Sequence, residues 1–141
     1  MANSPNRDLD GLLVISLEQA VAAPYAASRL ADAGARVIKV ERPEGDFARG
    51  YDADANGYSS YFVWLNRGKE SVALDLKQPD DLQIFKQMLS KADVFIQNLM
   101  PGALDRLGVS MADLRQADRR LITCDISGYG ASGPFAQMKA Y

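Results

Sequence analysis

Residues 12–26 read LLVISLEQAVAAPYA. The run 12–17 is apolar almost throughout, as expected of a strand covered on both faces rather than on one. Pro24 then suits a first helical turn, where a missing N–H costs nothing. Ala26, Leu30 and Ala33 share one helical face, and Gly34 is a stop signal. The stretch predicts strand, glycine-free turn, helix.

The same alternation continues outward. RVIKVE (36–41), SVALDL (71–76), DVFIQNL (93–99) and RLITCDIS (120–127) read as further strands. A helix opens at Gln78 and Pro79, with Leu82, Phe85, Met88, Leu89 and Ala92 at helical spacing. YFVWLNRG (61–68) reads as a short helix and PGALDRLG (101–108) as a turn-helix, and Ser110 is placed to cap MADLRQA. Strands alternating with helices predict an α/β fold with a parallel sheet covered on both faces. Residues 1–8 are expected to be a frayed, disordered tail, and 9–141 one domain. The polar stretch 42–60 is long for a compact domain and reads as a functional or mobile loop, with Asp46 solvated in it.

Of the 141 residues, 48% are hydrophobic and 24% charged, enough for a real core. The net charge of −2 argues against a general nucleic-acid or anionic-membrane binder. No apolar run approaches the ~18 residues of a membrane span, and MANSPNRD lacks the apolar core of a secretory signal. The cytoplasm is the default expectation. Cys124 is the one cysteine, and its apolar neighbours predict a small core residue. With no histidine, Ser-His-Asp and Cys-His catalysis and His-containing metal sites are excluded. No metal is expected.

The turn after the first strand lacks the G-x-G-x-x-G of a dinucleotide fold, and no P-loop occurs. A phosphate ligand would need helix N-termini and scattered cations. Lys39, Arg42, Arg49, Arg67, Lys69, Lys77, Arg106 and Lys139 lie near strand ends, and three or four of them are candidates to converge on one anion beyond the carboxyl edge of the sheet.

Four blocks, GARVIKVERPEGDFARG, LNRGKESVALDLKQP, ADVFIQNLMPGALDRLG and LITCDISGYGASGP, resemble in sequence and order the N-terminal segment of the family III (CaiB/BaiF) CoA-transferases. The likeness covers about residues 9–141. SLEQAVAAPYA, GDFARGYD and YFVWLNRGKES are closest to the subgroup acting on small dicarboxylates such as itaconate, mesaconate and citramalate. The resemblance implies a Rossmann-like parallel sheet with flanking helices, as the incomplete N-terminal part of a larger CoA-transferase fold and its CoA-binding large domain. It also implies coenzyme A bound as an acyl-CoA substrate, a small carboxylic acid as second substrate, and an interlocked homodimer at full length.

In that family an aspartate carboxylate attacks the thioester, giving an aspartyl-acyl anhydride and CoA thiolate. The acceptor acid then exchanges through aspartyl-CoA thioester and anhydride intermediates. Water must be kept out, since the anhydride would hydrolyse. The nucleophile is expected past the point matching Tyr141, so no catalytic residue is assigned within this chain. SGYGASG (127–133) suits either a cover over the acyl group or a plain turn.

The resemblance places Gln19, Ala20, Val21 and Ala22 against CoA and the acyl group. One family member carries a glutamine where Val21 stands, so a side-chain role there is in question. It places Arg42 on the nucleotide phosphates, Leu74 and Lys77 around the adenine, and Asn98 and Leu99 along the pantetheine arm, although the family more often has Phe at the latter position. Arg106 and Lys139 are further phosphate contacts. Asp75 and Asp125 are assigned capping or pairing duty. Tyr58, Tyr61, Phe62 and Trp64 are assigned packing rather than adenine stacking. The racemase branch of the superfamily relies on a histidine near Tyr141, which this chain lacks. A non-catalytic CoA- or nucleotide-binding module and a plain α/β interaction domain are the remaining alternatives.

Overall fold

The computed structural model describes residues 7–138. Strands β1 (Leu13–Leu17), β2 (Arg36–Glu41), β3 (Glu70–Ala73), β4 (Val94–Gln97) and β5 (Ile122–Asp125) form one sheet in the order β3-β2-β1-β4-β5. All four pairings are parallel. Helix α1 (Ala22–Asp32) links β1 to β2. A short 3-10 turn (Phe47–Gly50) and α2 (Ser60–Asn66) link β2 to β3. Helix α3 (Pro79–Leu89) links β3 to β4, and α4 (Ala103–Arg106) and α5 (Met111–Ala117) precede β5.

Each face of the sheet has its own core. On one side Val14, Val37 and Ile96 meet the alanine stripe Ala23, Ala27 and Ala31 of α1. Alanines let the helix approach closely. On the other side Ile15, Leu17, Val40 and Phe95 pack against Phe85 and Leu89 of α3, with Leu104, Val109 and Leu121. Phe85 and Phe95, both fully buried, meet edge to face at 5.8 Å, an arrangement favoured by the ring quadrupoles.

The expected elements are present, with shorter strands. The third strand leaves the ladder after Ala73, and Leu74 makes one more bond, from its N–H to the Glu41 carbonyl. The buried face of α1 is Ala23, Ala27, Ser28 and Ala31, one position round from the expected Ala26, Leu30 and Ala33. Gly34 does end the helix, at φ 112°, a left-handed conformation that glycine adopts without a Cβ clash. Ser110 caps α5 by accepting the Asp113 N–H. Residues 1–6 lie outside the described residues, and Arg7 belongs to an ordered turn closed by its N–H on Asp10.

Two expectations are corrected. Cys124 is exposed rather than a core residue. It pairs in register with Ile96, and Ile122 with Val94. That side of the sheet is covered by α1 over the inner strands but is open at the edge strand, so Ile122 is 64% exposed. The stretch 42–60 is not a loose loop. It holds the 3-10 turn and an isolated bridge between Ala55 and Tyr58, and Asp46 within it is buried. No helix among the described residues is long and apolar enough to cross a membrane.

Candidate active site at the sheet switch point

From β1 the chain winds first toward β3, then returns to β4 on the other side of β1. Connections therefore diverge between β1 and β4, and this is where open parallel sheets build their ligand crevice, outside the strand carboxyl ends. The loops that meet there contain Gln19–Ala22 and Asn98–Leu99. They are joined side chain to backbone: Gln19 N–H donates to Asn98 Oδ1 at 2.9 Å, and Asn98 Nδ2 donates back to the Gln19 carbonyl at 2.8 Å. Leu99 N–H donates to Gln97 Oε1 at 2.7 Å. Gln97 in turn donates from Nε2 to Asp125. Val21 and Ala22 are exposed at the start of α1, which has no side-chain cap.

Beneath this loop lies a buried charge network. Glu18, Lys39 and Asp46 have side chains no more than 1% exposed, and that of Lys69 is 2% exposed. Lys39 Nζ stands 2.7 Å from Asp46 Oδ2 and 3.5 Å from Glu18 Oε1. Lys69 Nζ stands 2.5 Å from Glu18 Oε1 and donates to the Pro24 carbonyl at 2.9 Å. Ser16 Oγ donates to Glu18 Oε2. Burial pushes the Lys69 ammonium down from its ordinary range, and the Glu18 carboxylate works against that. Asp46 Oδ1 accepts the N–H groups of Ala20 (3.1 Å) and Ala48 (3.0 Å). Among the described residues no buried side-chain nitrogen or oxygen lacks a partner. Isolated, such charges are prohibitively costly to bury. Here each is paired and hydrogen-bonded.

A second cluster adjoins it. Glu41 takes Arg49 Nη2 at 2.7 Å and Arg49 Nε at 3.0 Å, the Ser71 hydroxyl at 2.7 Å and the Asp46 N–H at 2.8 Å. Burial alone would raise the Glu41 pKa. Arg49, Ser71 and the Asp46 N–H outweigh it and hold the carboxyl at about 2. Arg49 also stacks on Phe62, 3.9 Å from the ring centroid.

These clusters narrow the set of cations that remain for a ligand. Lys39 and Lys69 do converge, but inward, on Glu18 and Asp46. Arg49 is committed to Glu41, and Arg67 to Asp32. Arg42, Lys77 and Arg106 are exposed and enter no ion pair among the described residues. Arg42 Nε donates only to the Gly45 carbonyl, at 3.0 Å. Leu74 is buried in the α3-side core, and Lys139 lies outside the described residues. Two clefts open at the carboxyl edge. One of about 200 Å³ is bordered by Arg42, Gly45 and Ser71 beyond β2 and β3. The other, about 270 Å³, is bordered by Gln97, Asp105, Arg115 and Asp125 beyond β4 and β5.

Asp75 accepts the Lys77 N–H and closes the turn before α3, and Asp125 is held by Gln97. Both perform the structural duty expected of them. The aromatic residues form a surface chain: Phe47–Tyr51, Tyr51–Tyr61, Tyr61–Trp64 and Trp64–Tyr25 have centroids 5.8–6.1 Å apart, and each ring is 41–49% exposed. Tyr25 lies one helical turn after Val21, so the chain reaches the site's rim. The glycine loop closes a turn through Ser127 Oγ, which accepts the Gly130 N–H at 3.0 Å.

Sequence reading missed the Glu18–Lys39–Asp46–Lys69 network. The signal was there: a strand expected to be buried on both faces carries Lys39 between Ile38 and Val40, and a lysine so placed requires a buried partner.

The comparisons agree with this architecture. The model of CoA-transferase family III matches residues 9–141. An acetyl-CoA:oxalate CoA-transferase of Acetobacter aceti is 44% identical over 138 residues, which cover 97% of this chain and 36% of that enzyme. A succinyl-CoA:mesaconate CoA-transferase of Haloarcula hispanica is 39% identical over 86% of this chain and 32% of its own length. The crystal structure of a CaiB/BaiF family protein from Brucella suis superposes with a TM-score of 0.89 at 37% identity, covering 96% of this chain and 37% of that one. The chain thus spans about a third of the length of the relatives it matches. With nearly its whole length matched, the chain belongs to CoA-transferase family III.

Proposed function

We propose that the protein containing this chain transfers CoA from an acyl-CoA, such as succinyl-CoA, to a small carboxylic or dicarboxylic acid, and that this chain supplies the CoA-binding part. The observation that carries the reading is the Gln19–Asn98 clamp at the switch point, in a chain of this family. It ties the 19–22 loop to the β4 loop at the carboxyl edge of the sheet, with Val21 and Ala22 exposed beside it. In this reading the 19–22 loop faces the thioester and acyl group, and Asn98 and Leu99 guide the pantetheine arm. Arg42 and Arg106, with Lys139, meet the phosphates, and Lys77 and the strand end at Leu74 border the adenine. Arg42, Lys77 and Arg106 are suited to that task because none of them enters an ion pair among the described residues.

Chemistry follows the family resemblance. An aspartate carboxylate attacks the thioester carbonyl, the C–S bond breaks, and an anhydride and CoA thiolate result. The thiolate attacks the aspartyl carbonyl and releases the donor acid, leaving an aspartyl-CoA thioester. The acceptor carboxylate repeats these two steps in reverse order, regenerating aspartate. Asp46 and Asp125 are committed to partners within the fold, and Asp75 caps a turn, so none of the three is assigned as this nucleophile. An interlocked homodimer in the cytoplasm is the setting we assign to the whole protein.

The test is a transfer assay on the whole protein with succinyl-CoA and a panel of small dicarboxylates, read by mass spectrometry. Formation of acceptor-CoA supports the reading. CoA binding without any acceptor-CoA would favour a non-catalytic CoA-binding module.

A further inference from the structure

Ala20 sits in the left-handed region at φ 63° and is 2% exposed. A residue with a Cβ is disfavoured there, and such conformations persist only when their surroundings over-determine them. Two contacts do so. Asn98 holds both the N–H and the carbonyl of Gln19, and Asp46 Oδ1 accepts the Ala20 N–H at 3.1 Å. The same oxygen takes the Ala48 N–H, while Oδ2 takes Lys39 Nζ at 2.7 Å. The carboxylate is therefore anchored on its far side by a buried ammonium. Immediately after Ala20 come Val21, exposed, and Ala22, the first residue of α1. The Ala20 backbone thus sets the direction in which both leave the sheet.

We infer that Asp46, held by Lys39, is a positioning residue for the transfer reaction: it fixes Ala20 in its left-handed conformation and thereby aims the Val21–Ala22 backbone at the reacting acyl group. The functional half of this inference rests on the reading of the 19–22 loop given above. Its structural half rests on the geometry alone. Asp46 touches no substrate in this scheme, and its carboxylate bonds Ala20, Ala48 and Lys39, whereas Arg42 is held by the Gly45 carbonyl, so removing the carboxylate charge should disturb the 19–22 geometry rather than nucleotide affinity.

The test uses Asp46→Asn in the whole protein. The amide keeps the shape but has only one acceptor oxygen. It either turns its NH2 on Lys39 or gives up the Ala20 and Ala48 N–H groups. Hydrogen exchange of a peptide covering residues 17–24 should accelerate about tenfold or more. The kcat per folded molecule should fall about 10- to 100-fold, the scale of a small misplacement of reacting groups. The Kd for CoA should change less than about threefold. Adding Ala20→Gly should recover several-fold of kcat without restoring the melting temperature, because glycine reaches this φ unaided. Unchanged exchange in the 17–24 peptide overturns the inference. So does a kcat loss matched by an equal loss of CoA affinity, or the absence of recovery by glycine. Where Asp46→Asn does not accumulate as folded protein, Lys39→Met, which removes the cation that anchors Asp46 Oδ2, takes its place: exchange of the 17–24 peptide should again accelerate several-fold, and unchanged exchange overturns the inference. Failure of the wild type to transfer CoA sinks the functional reading, while the exchange result still decides the role of Asp46.

Discussion

Replacing Lys39 by methionine isolates the electrostatic part of the buried network. Methionine fills much of the volume of the lysine stem, so the change removes an ammonium rather than a packing element. The Lys39 side chain is 1% exposed and its partner Asp46 0%, at 2.7 Å. Breaking a buried pair by deleting one partner costs about 3–5 kcal/mol, because the other charge stays buried and uncompensated. Asp46 keeps the Ala20 and Ala48 N–H groups, and Glu18 keeps Lys69 and Ser16. These survivors put the expected loss near the lower end, about 3 kcal/mol. Urea unfolding followed by Trp64 fluorescence and circular dichroism measures it, as a lower midpoint with unchanged slope. In the double variant K39M/D46N the cost should fall short of the sum of the singles by about 1–3 kcal/mol, since the two groups interact directly. A K39M loss below about 1 kcal/mol, the range of solvent-exposed pairs, would mean that water reaches the network and that its burial is not what orders the loop.

Three further outcomes are expected. Phe95→Ala, which deletes a fully buried ring packed on Phe85, should cost about 3–5 kcal/mol by the same unfolding assay. Glu41 has a folded pKa of about 2, below its ordinary 4.5, so its stabilisation is present above pH 4.5 and is lost as pH falls through 2. Glu41→Gln should therefore be less stable than wild type at neutral pH, with the gap closing toward pH 2. Asp52, also held at about 2 chiefly by the Ser60 N–H, is present in both proteins and cancels in that difference. Arg42→Gln should weaken CoA binding about tenfold by isothermal calorimetry, the scale of one charge-assisted contact. Unchanged affinity would remove Arg42 from the phosphate site.

Strand periodicity made most of the sheet legible, because a run such as LLVISL has few other ways to hide so much apolar surface. The switch-point residues were legible only through resemblance. Gln19 and Asn98 are separated by 79 positions, and no local rule pairs them before the strand order is known. Cys124 misled for a related reason: apolar neighbours show that a strand forms, not whether it lies at an edge. Asp46 misled because a polar loop composition was read as solvation. Its carboxylate instead turns inward to Lys39, four residues before the polar stretch's first proline. Long-range ion pairing of this kind leaves no periodic trace in sequence.

The most direct measurement is a crystal structure of the whole protein with CoA bound. The account predicts the pantetheine arm between the Gln19–Ala22 loop and Asn98–Leu99, with phosphates within hydrogen-bond reach of Arg42 or Arg106. CoA seated in the cleft of Asp105, Arg115 and Asp125 with the Gln19–Asn98 clamp untouched would contradict it.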